Sequence, residues 1–196
     1  MVGPLFSHVL VVAVAIGQND ASDHAELSED FMSGDAIQDY YLPGHAWCFG
    51  CGRLNEHGLH LRTILEGDET VTILRPHPYH TAQPGSVYGG LIASAIDCHS
   101  TGTAAWATHR AEGTEPGSEP AVRFVTAALH VDYLRPTPIT ETLEVRGRVK
   151  EISGRKVVVI STLTAGGEVC ARGEVVAVRL RGPVDLEPPG AGSPEG

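Results

Sequence analysis

Apolar and polar residues alternate with two different periods along this chain, and the change of period separates a predicted helix from predicted strands. Between Val87 and His109 the sequence has no proline and is rich in Ala, Ile and Leu, which favours one long helix. From Val125 to Tyr133 the odd-numbered residues are apolar and alternate with more polar ones, which is the period of a half-buried strand. The pattern therefore predicts a long helix followed by a sheet.

Turn-forming sequences divide the rest of the pattern into antiparallel strands. These predicted strands cover Leu59 to Ile64, Thr70 to Leu74, Leu143 to Ile152, Lys156 to Thr164 and Val169 to Leu180. The turns between them are Glu66-Gly67-Asp68, Ser153-Gly154 and Ala165-Gly166-Gly167. Because one helix can cover only one face of such a sheet, the chain is predicted to be α+β.

Composition predicts that both ends lie outside the domain. Residues 17–39 are acidic and polar, and the sequence from Gly182 contains four prolines among glycines. We therefore predict a poorly ordered extension over 1–39, a domain over 40–181 and a disordered tail over 182–196. The apolar run from Val9 to Ile16 is too short to span a bilayer. A signal peptide is disfavoured because the first fifty residues contain no Lys or Arg.

Charge and cysteine content exclude several classes of protein. The chain has 14 basic and 24 acidic residues, a net charge of -10, which argues against nucleic acid as a partner. Four cysteines in 196 residues do not form a disulfide scaffold and suit a reducing compartment, so we expect a cytoplasmic protein. No membrane partner is expected, because the apolar run from Val9 to Ile16 is too short to span a bilayer.

The predicted helix carries one carboxylate, Asp97, on a face of small residues. Two stripes follow helical spacing, an apolar one for the sheet (Leu91, Ile92, Ala95, Ile96, Ala105, Trp106) and a small or polar one (Gly90, Ser94, Asp97, Thr101, Ala104, Thr108). Small residues indicate close approach of another surface, and Asp favours caps or functional sites over helix interiors. The alternative is that Asp97 is a solvated or salt-bridged surface residue.

The start of the helix offers a second chemical group. Gly89 and Gly90 follow a tight loop, and glycines there allow a ligand to approach the backbone. First-turn amides have no partner within the helix and lie at its positive end, so they can stabilise a developing oxyanion. The glycines could also serve only a tight connection. An amide donor followed by a carboxylate two turns later is an arrangement suited to acyl transfer.

Two segments resemble the hotdog-fold acyl-coenzyme A thioesterases, in particular the phenylacetate-pathway (PaaI-like) branch. Cys48-Phe49-Gly50-Cys51-Gly52-Arg53-Leu54-Asn55, followed by Gly58-Leu59, is similar to the lead-in of many such proteins. Gly85-Ser86-Val87-Tyr88-Gly89-Gly90, followed after six residues by Asp97, is similar to the family's G-x-x-H-G-G-x6-D element. The resemblance covers about Trp47 to Leu180.

The resemblance implies an antiparallel sheet wrapped around one long central helix, the hotdog fold. It also implies a hydrolase that cleaves an acyl-coenzyme A thioester to free acid and coenzyme A, without a metal or cofactor. The family builds each site between two subunits, so a homodimer or homotetramer is expected.

The resemblance also assigns roles to particular residues. The implied catalytic groups are the Gly89 amide, which binds the thioester carbonyl, the Asp97 carboxylate as nucleophile or base, and the supporting hydroxyls of Thr126 and Thr101. The residues expected to contact substrate are Tyr88, Gly90, Gln83 and His80.

One departure from the family pattern leaves other functions open. Tyr88 stands where the family usually has His before the glycine pair. The exchange favours, as an alternative, a non-catalytic module that binds acyl ligands. A hotdog hydratase or dehydratase would pair a helix-start Asp with a His base, and the sequence shows no such pair.

Other reactive residues receive structural interpretations. Cys48-x-x-Cys51 could bind zinc, but a structural site needs four ligands and the chain has no second such pair, so a shaped turn is predicted. Cys98 and Cys170 are expected to be buried as small hydrophobes, and His99 to be a satisfied histidine near the core. Candidates for coenzyme A phosphates, or for ordinary sheet-edge charges, are Arg123, Arg135, Arg155 and Lys156.

Overall fold

The computed structural model describes residues 34–182. The helix α1 spans Gly89–Glu112, and the strands are β1 (Ile64–Glu66), β2 (Glu69–Leu74), β3 (Thr81–Gln83), β4 (Ser86–Val87), β5 (Phe124–Tyr133), β6 (Leu143–Ser153), β7 (Lys156–Ala165) and β8 (Glu168–Arg179). Two 3-10 turns, Ile37–Tyr40 and Pro43–His45, precede them. The apolar run at Val9 to Ile16 and most of the predicted tail lie outside the described residues.

Six strands form one antiparallel sheet in the order β1-β2-β6-β7-β8-β5. The helix packs against five of them, β2 and β5 to β8, which confirms the predicted α+β architecture. Glycines allow this close packing: a Cβ at Gly173 would lie 2.3 Å from Cγ2 of Ile96, and one at Gly147 would lie 2.5 Å from Nε2 of His99.

The helix lies close to its predicted limits. It begins after Tyr88 and ends at Gly113, whose φ of 64° suits glycine and whose amide bonds the His109 carbonyl. Of the predicted apolar stripe, five residues are buried: Leu91, Ile92, Ala95, Ile96 and Ala105. In the part of the chain that the structure describes, no helix is long and apolar enough to cross a bilayer.

The segment before β1 covers the other side of the helix. The Gln38 side chain bonds both the backbone and the hydroxyl of Thr63, and a Cβ at Gly102 would lie 2.6 Å from that hydroxyl. Ile37 is 1% exposed, so packing begins before the predicted boundary at residue 40. The strand predicted over residues 59–63 is not formed, because this stretch packs over α1 and pairing in the sheet begins only at Ile64.

A bulge in β5 changes which of its residues face the helix. The pairing with β8 shifts after Thr126. Thr126 pairs with buried Ala177, while Val131, beyond the bulge, pairs with Gly173, which lies against the helix. Thr126 and Val131 therefore both face α1. The predicted alternation, which put Val125 and Val131 on one face, is wrong because the extra residue reverses the phase.

Candidate functional site

Asp97 lies half-buried on α1 and is held by a hydroxyl from β5. Thr126 Oγ1 donates a hydrogen bond to Asp97 Oδ1. Burial raises the pKa of Asp97, and the Thr126 bond and the positive charge of Arg123 partly oppose that rise. The Asp97 carboxylate is therefore poorly solvated, and one of its oxygens is fixed in place. Poor solvation increases its basicity toward a bound water.

The first turn of α1 is open to a ligand. Tyr88, the N-cap residue, has an extended backbone and makes no side-chain capping bond, so it leaves the first-turn amides free of a side-chain acceptor. The carbonyl of Gly89 accepts a 2.8 Å hydrogen bond from the Tyr133 hydroxyl. The Tyr88 ring lies over Gly90, where a Cβ would come within 2.3 Å of Tyr88 Cε1. Glycine at position 90 therefore makes room for that ring.

The strand β5 runs along the helix in the opposite direction and lines one surface with it. Thr126 meets Asp97 near one end, and Tyr133 meets Gly89 near the other. At 1.5 Å per residue, the eight residues from Gly89 to Asp97 span about 12 Å along the helix axis. A single chain therefore does not bring the Gly89 amide and the Asp97 carboxylate onto the same carbonyl group.

The structure places the Thr101 hydroxyl within the helix itself. It is buried and donates a 3.0 Å hydrogen bond to the carbonyl of Cys98. Thr101 lies one turn beyond Asp97, and no contact joins its hydroxyl to that carboxylate among the described residues. Its predicted supporting role therefore stays a prediction.

The predicted substrate contacts surround the entrance to the helix. Gln83 is exposed at the end of β3, and Tyr88 is 58% exposed. The carbonyl of His80 accepts a 2.8 Å bond from the Tyr88 amide, and its Nδ1 accepts a 3.1 Å bond from the His77 amide. Burial lowers the pKa of His80, which favours this neutral acceptor form. His80 therefore fixes the backbone that leads into α1.

A cluster of three thiols beside Asp97 was missed by the sequence analysis. The sulfurs of Cys48, Cys51 and Cys98 all lie within 4.8 Å of one another. Hydrogen bonds from the other two thiols lower the pKa of Cys48 well below its usual value, while the pKa of Cys98 is raised by its partners in the cluster. The available signals were the Cys-x-x-Cys pair and a third cysteine next to the carboxylate, but local periodicity does not reveal contacts between distant segments.

The basic residues considered for phosphate binding are engaged elsewhere in the single chain. Arg135 pairs with Glu168, Lys156 pairs with Glu151, and Arg155 donates to a backbone carbonyl. Arg123 stacks over the Tyr41 ring, 4.1 Å from its centroid. None of these contacts selects one of the four residues as a phosphate ligand.

Comparisons with known proteins place these features in a family context. The family model of the thioesterase superfamily matches residues 84–171, which include α1 and β5. The crystal structure of a thioesterase superfamily protein from Shewanella loihica PV-4 is 46% identical, with a TM-score of 0.53 over 65% of this chain and 96% of that one. The PaaI protein from the E. coli phenylacetic acid degradation operon is 17% identical, with a TM-score of 0.52 over 63% and 82% of the two chains. These likenesses confirm the hotdog fold.

Curated relatives share only part of their length with this chain. A mouse protein named acyl-coenzyme A thioesterase THEM4 is 30% identical over 120 residues, which are 61% of this chain and 45% of the mouse protein. A Xenopus laevis protein of the same name is 34% identical over 87 residues, 44% of this chain and 33% of its own. The chain thus spans less than half the length of these relatives.

Proposed function

The chain belongs to the thioesterase superfamily, and on that premise we propose that it is an enzyme that hydrolyses an acyl-coenzyme A thioester to the free acid and coenzyme A. The main support is the half-buried Asp97 carboxylate fixed by Thr126, on a helix whose first turn carries no side-chain cap. The two THEM4 relatives are named acyl-coenzyme A thioesterases, which favours coenzyme A thioesters as the substrate class.

The reaction requires only a base and a set of oxyanion donors. Asp97 removes a proton from a water held against the thioester, and the water oxygen bonds to the carbonyl carbon. First-turn amides, with Gly89 foremost, stabilise the negative charge on the carbonyl oxygen. When this tetrahedral intermediate collapses, the carbon–sulfur bond breaks and the thiolate of coenzyme A leaves and takes up a proton. Direct attack by Asp97, followed by hydrolysis of the resulting anhydride, uses the same groups.

The proposed site needs a second copy of the chain. The separation of about 12 Å between Gly89 and Asp97 requires one group from each of two chains. Among the described residues, β5 ends the sheet with an unpaired edge, and Leu129 and Tyr133 are 40% and 53% exposed on it. We propose that two copies pair along β5 and α1, so that Asp97 of one chain meets the first helical turn of the other.

A binding module without catalysis is the second candidate, and Tyr88 favours it. Its phenol replaces the usual His and makes no hydrogen bond among residues 34–182. The hydratase alternative finds no support, because His99, the histidine nearest to Asp97 in sequence, is fully buried. Its two ring nitrogens lie 2.9 and 3.3 Å from the hydroxyls of Thr72 and Thr70.

A panel of acyl-coenzyme A substrates of different chain length, including an aromatic one, tests the proposed activity. Free coenzyme A should be separated by chromatography, because the protein's own thiols would react with thiol reagents. We expect release well above the uncatalysed rate for at least one substrate. Binding of the same substrates without any release would contradict hydrolysis and favour the binding module.

The cellular location remains part of the proposal. The expectation of a cytoplasmic protein rests on the four cysteines, which suit a reducing compartment. Fractionation of cells that produce the full chain would test it, and recovery outside the cytoplasm would contradict it.

A further inference from the structure

Three thiols from two distant segments converge on one point. Cys48 and Cys51 come from the turns before β1, and Cys98 comes from α1, directly after Asp97. Cys48 Sγ lies 3.8 Å from Cys98 Sγ. Thiolates bound at about 2.3 Å to a tetrahedral zinc ion stand about 3.8 Å apart, so this separation is that of two ligands on one ion.

The backbone holds the three sulfurs in this arrangement. The Gly52 amide bonds the Cys48 carbonyl at 2.8 Å, and the Leu61 amide bonds the Gly50 carbonyl at 2.9 Å. A Cβ at Gly50 would lie 2.3 Å from the sulfur of Cys98, so the loop rests directly on that side chain. Gly50 therefore serves the approach of the loop to the helix, and Gly52 serves the tight turn within the loop, where a Cβ would lie 2.5 Å from the Cys48 nitrogen.

The positive charge of Arg123 can balance the negative charge of the cysteine cluster. Its charge acts on Cys51 and Cys48, and its Nη1 is buried with no hydrogen-bond partner among the described residues. Three thiolates and a divalent cation carry one net negative charge, which a neighbouring guanidinium offsets and to which it can donate. A buried, unpartnered guanidinium nitrogen is otherwise costly.

From this geometry we propose that Cys48, Cys51 and Cys98 bind one thiophilic metal ion, Zn²⁺ in particular. Within residues 34–182 no fourth Cys, His, Asp or Glu joins the group, so the fourth position belongs to water or to an exchangeable ligand. The open side is at Cys48, which is half-buried while the other two cysteines are buried. The ion ties the lead-in segment to the helical turn that carries Asp97.

The site is tested on the full chain, reduced and stripped of metal, by titration with Co²⁺ in the absence of oxygen. Thiolate-to-cobalt charge-transfer absorption should saturate at one ion per chain, and Zn²⁺ should displace the cobalt. Cys98→Ser should lower the metal affinity by roughly tenfold to hundredfold or more. Changing only the residues that support a ligand already costs that much, and this variant removes a ligand itself. Cys170→Ser, which alters a buried cysteine elsewhere, should leave binding unchanged.

A second measurement covers the case in which a variant folds poorly. Zn²⁺ should raise the urea concentration at the unfolding midpoint of the unaltered chain and of Cys170→Ser, but not of Cys98→Ser. Binding that Cys98→Ser does not affect would overturn the three-thiol site. So would a reduced chain that binds no Co²⁺ or Zn²⁺. None of these readouts depends on thioesterase activity.

Discussion

Among the described residues, Thr126 is the one whose side chain donates a hydrogen bond to Asp97. It fixes one carboxylate oxygen and leaves the other free to accept a proton. It faces the helix because β5 pairs in regular register with β8 up to Thr126, opposite buried Ala177, and the bulge changes the phase only beyond it. The orientation of the base therefore depends on this single contact and on the pairing of β5 with β8 that places it.

Thr126→Val keeps the shape of the side chain and removes this bond. A hydrogen bond to a charged group is worth about 1.5–3 kcal/mol, so we expect kcat to fall by about tenfold or more while KM changes little. Steady-state kinetics would measure this. Thr162→Val, on β7 and facing away from the helix, is the matched control and should retain the wild-type kcat. Equal kcat values for the two variants would exclude a positioning role for Thr126.

The contact between α1 and the sheet determines how deeply the Asp97 side chain is buried. The helix packs closely where β8 presents Gly173 to the side chain of Ile96, one residue before Asp97. The same strand pairs with β5 and so fixes Thr126. The strand β8 thus positions both α1 and the Thr126 hydroxyl.

Gly173→Ala should destabilise the fold. The added Cβ would lie 2.3 Å from Ile96 Cγ2, so either the helix or the strand must move. Overpacking of this kind costs about 1–3 kcal/mol in the free energy of unfolding, measurable by urea denaturation. Gly89→Ala is the comparison, because its Cβ would lie 3.4 Å from Tyr133, and it should cause no such loss. An unchanged unfolding free energy for Gly173→Ala would contradict the close packing.

The exposed edge of β5 is the proposed contact with a second copy. Leu129→Lys places a charge where this edge would be covered, and we expect the mutant to be a monomer that has lost activity. Light scattering coupled to size-exclusion chromatography would show the change in mass. Ile152→Lys, at a residue 49% exposed near the end of β6, should leave the oligomer intact. A Leu129→Lys protein of unchanged mass would place the interface elsewhere.

Most of the helices and strands were predictable from the sequence because residues at their ends, such as turn glycines, mark where they stop. Glycine turns set the limits of β6, β7 and β8 within two residues, and Gly113 ends the helix. The bulge in β5 was missed, since an inserted residue has no signature in an alternating pattern. The segment before β1 and the third thiol were missed for a related reason: both depend on packing against α1, a contact between residues far apart in sequence. The catalytic roles of Asp97, Gly89, Thr126 and Thr101 stay predictions.

A site shared between two chains can be tested by mixing variants. Gly89→Pro removes the first-turn amide at a position where Pro suits a helix, and the extended Tyr88 tolerates a following Pro. Gly89→Pro and Asp97→Asn should each be inactive, but their heterodimer contains one intact pairing of Gly89 with Asp97. We expect it to recover about half of the wild-type activity, because one of two sites is complete. A heterodimer without activity would assign each site to one chain.

The proposed hydrolysis depends on the Asp97 carboxylate, and kcat for Asp97→Asn on the best substrate of the panel measures this dependence. Asp68→Asn, which changes a carboxylate whose side chain is 92% exposed in the β1–β2 turn, is the control. We expect Asp97→Asn to lower kcat by about a thousandfold, with the oligomer and substrate binding intact, and Asp68→Asn to match the wild type. An Asp97→Asn protein that keeps most of the wild-type rate would exclude Asp97 as the catalytic base or nucleophile.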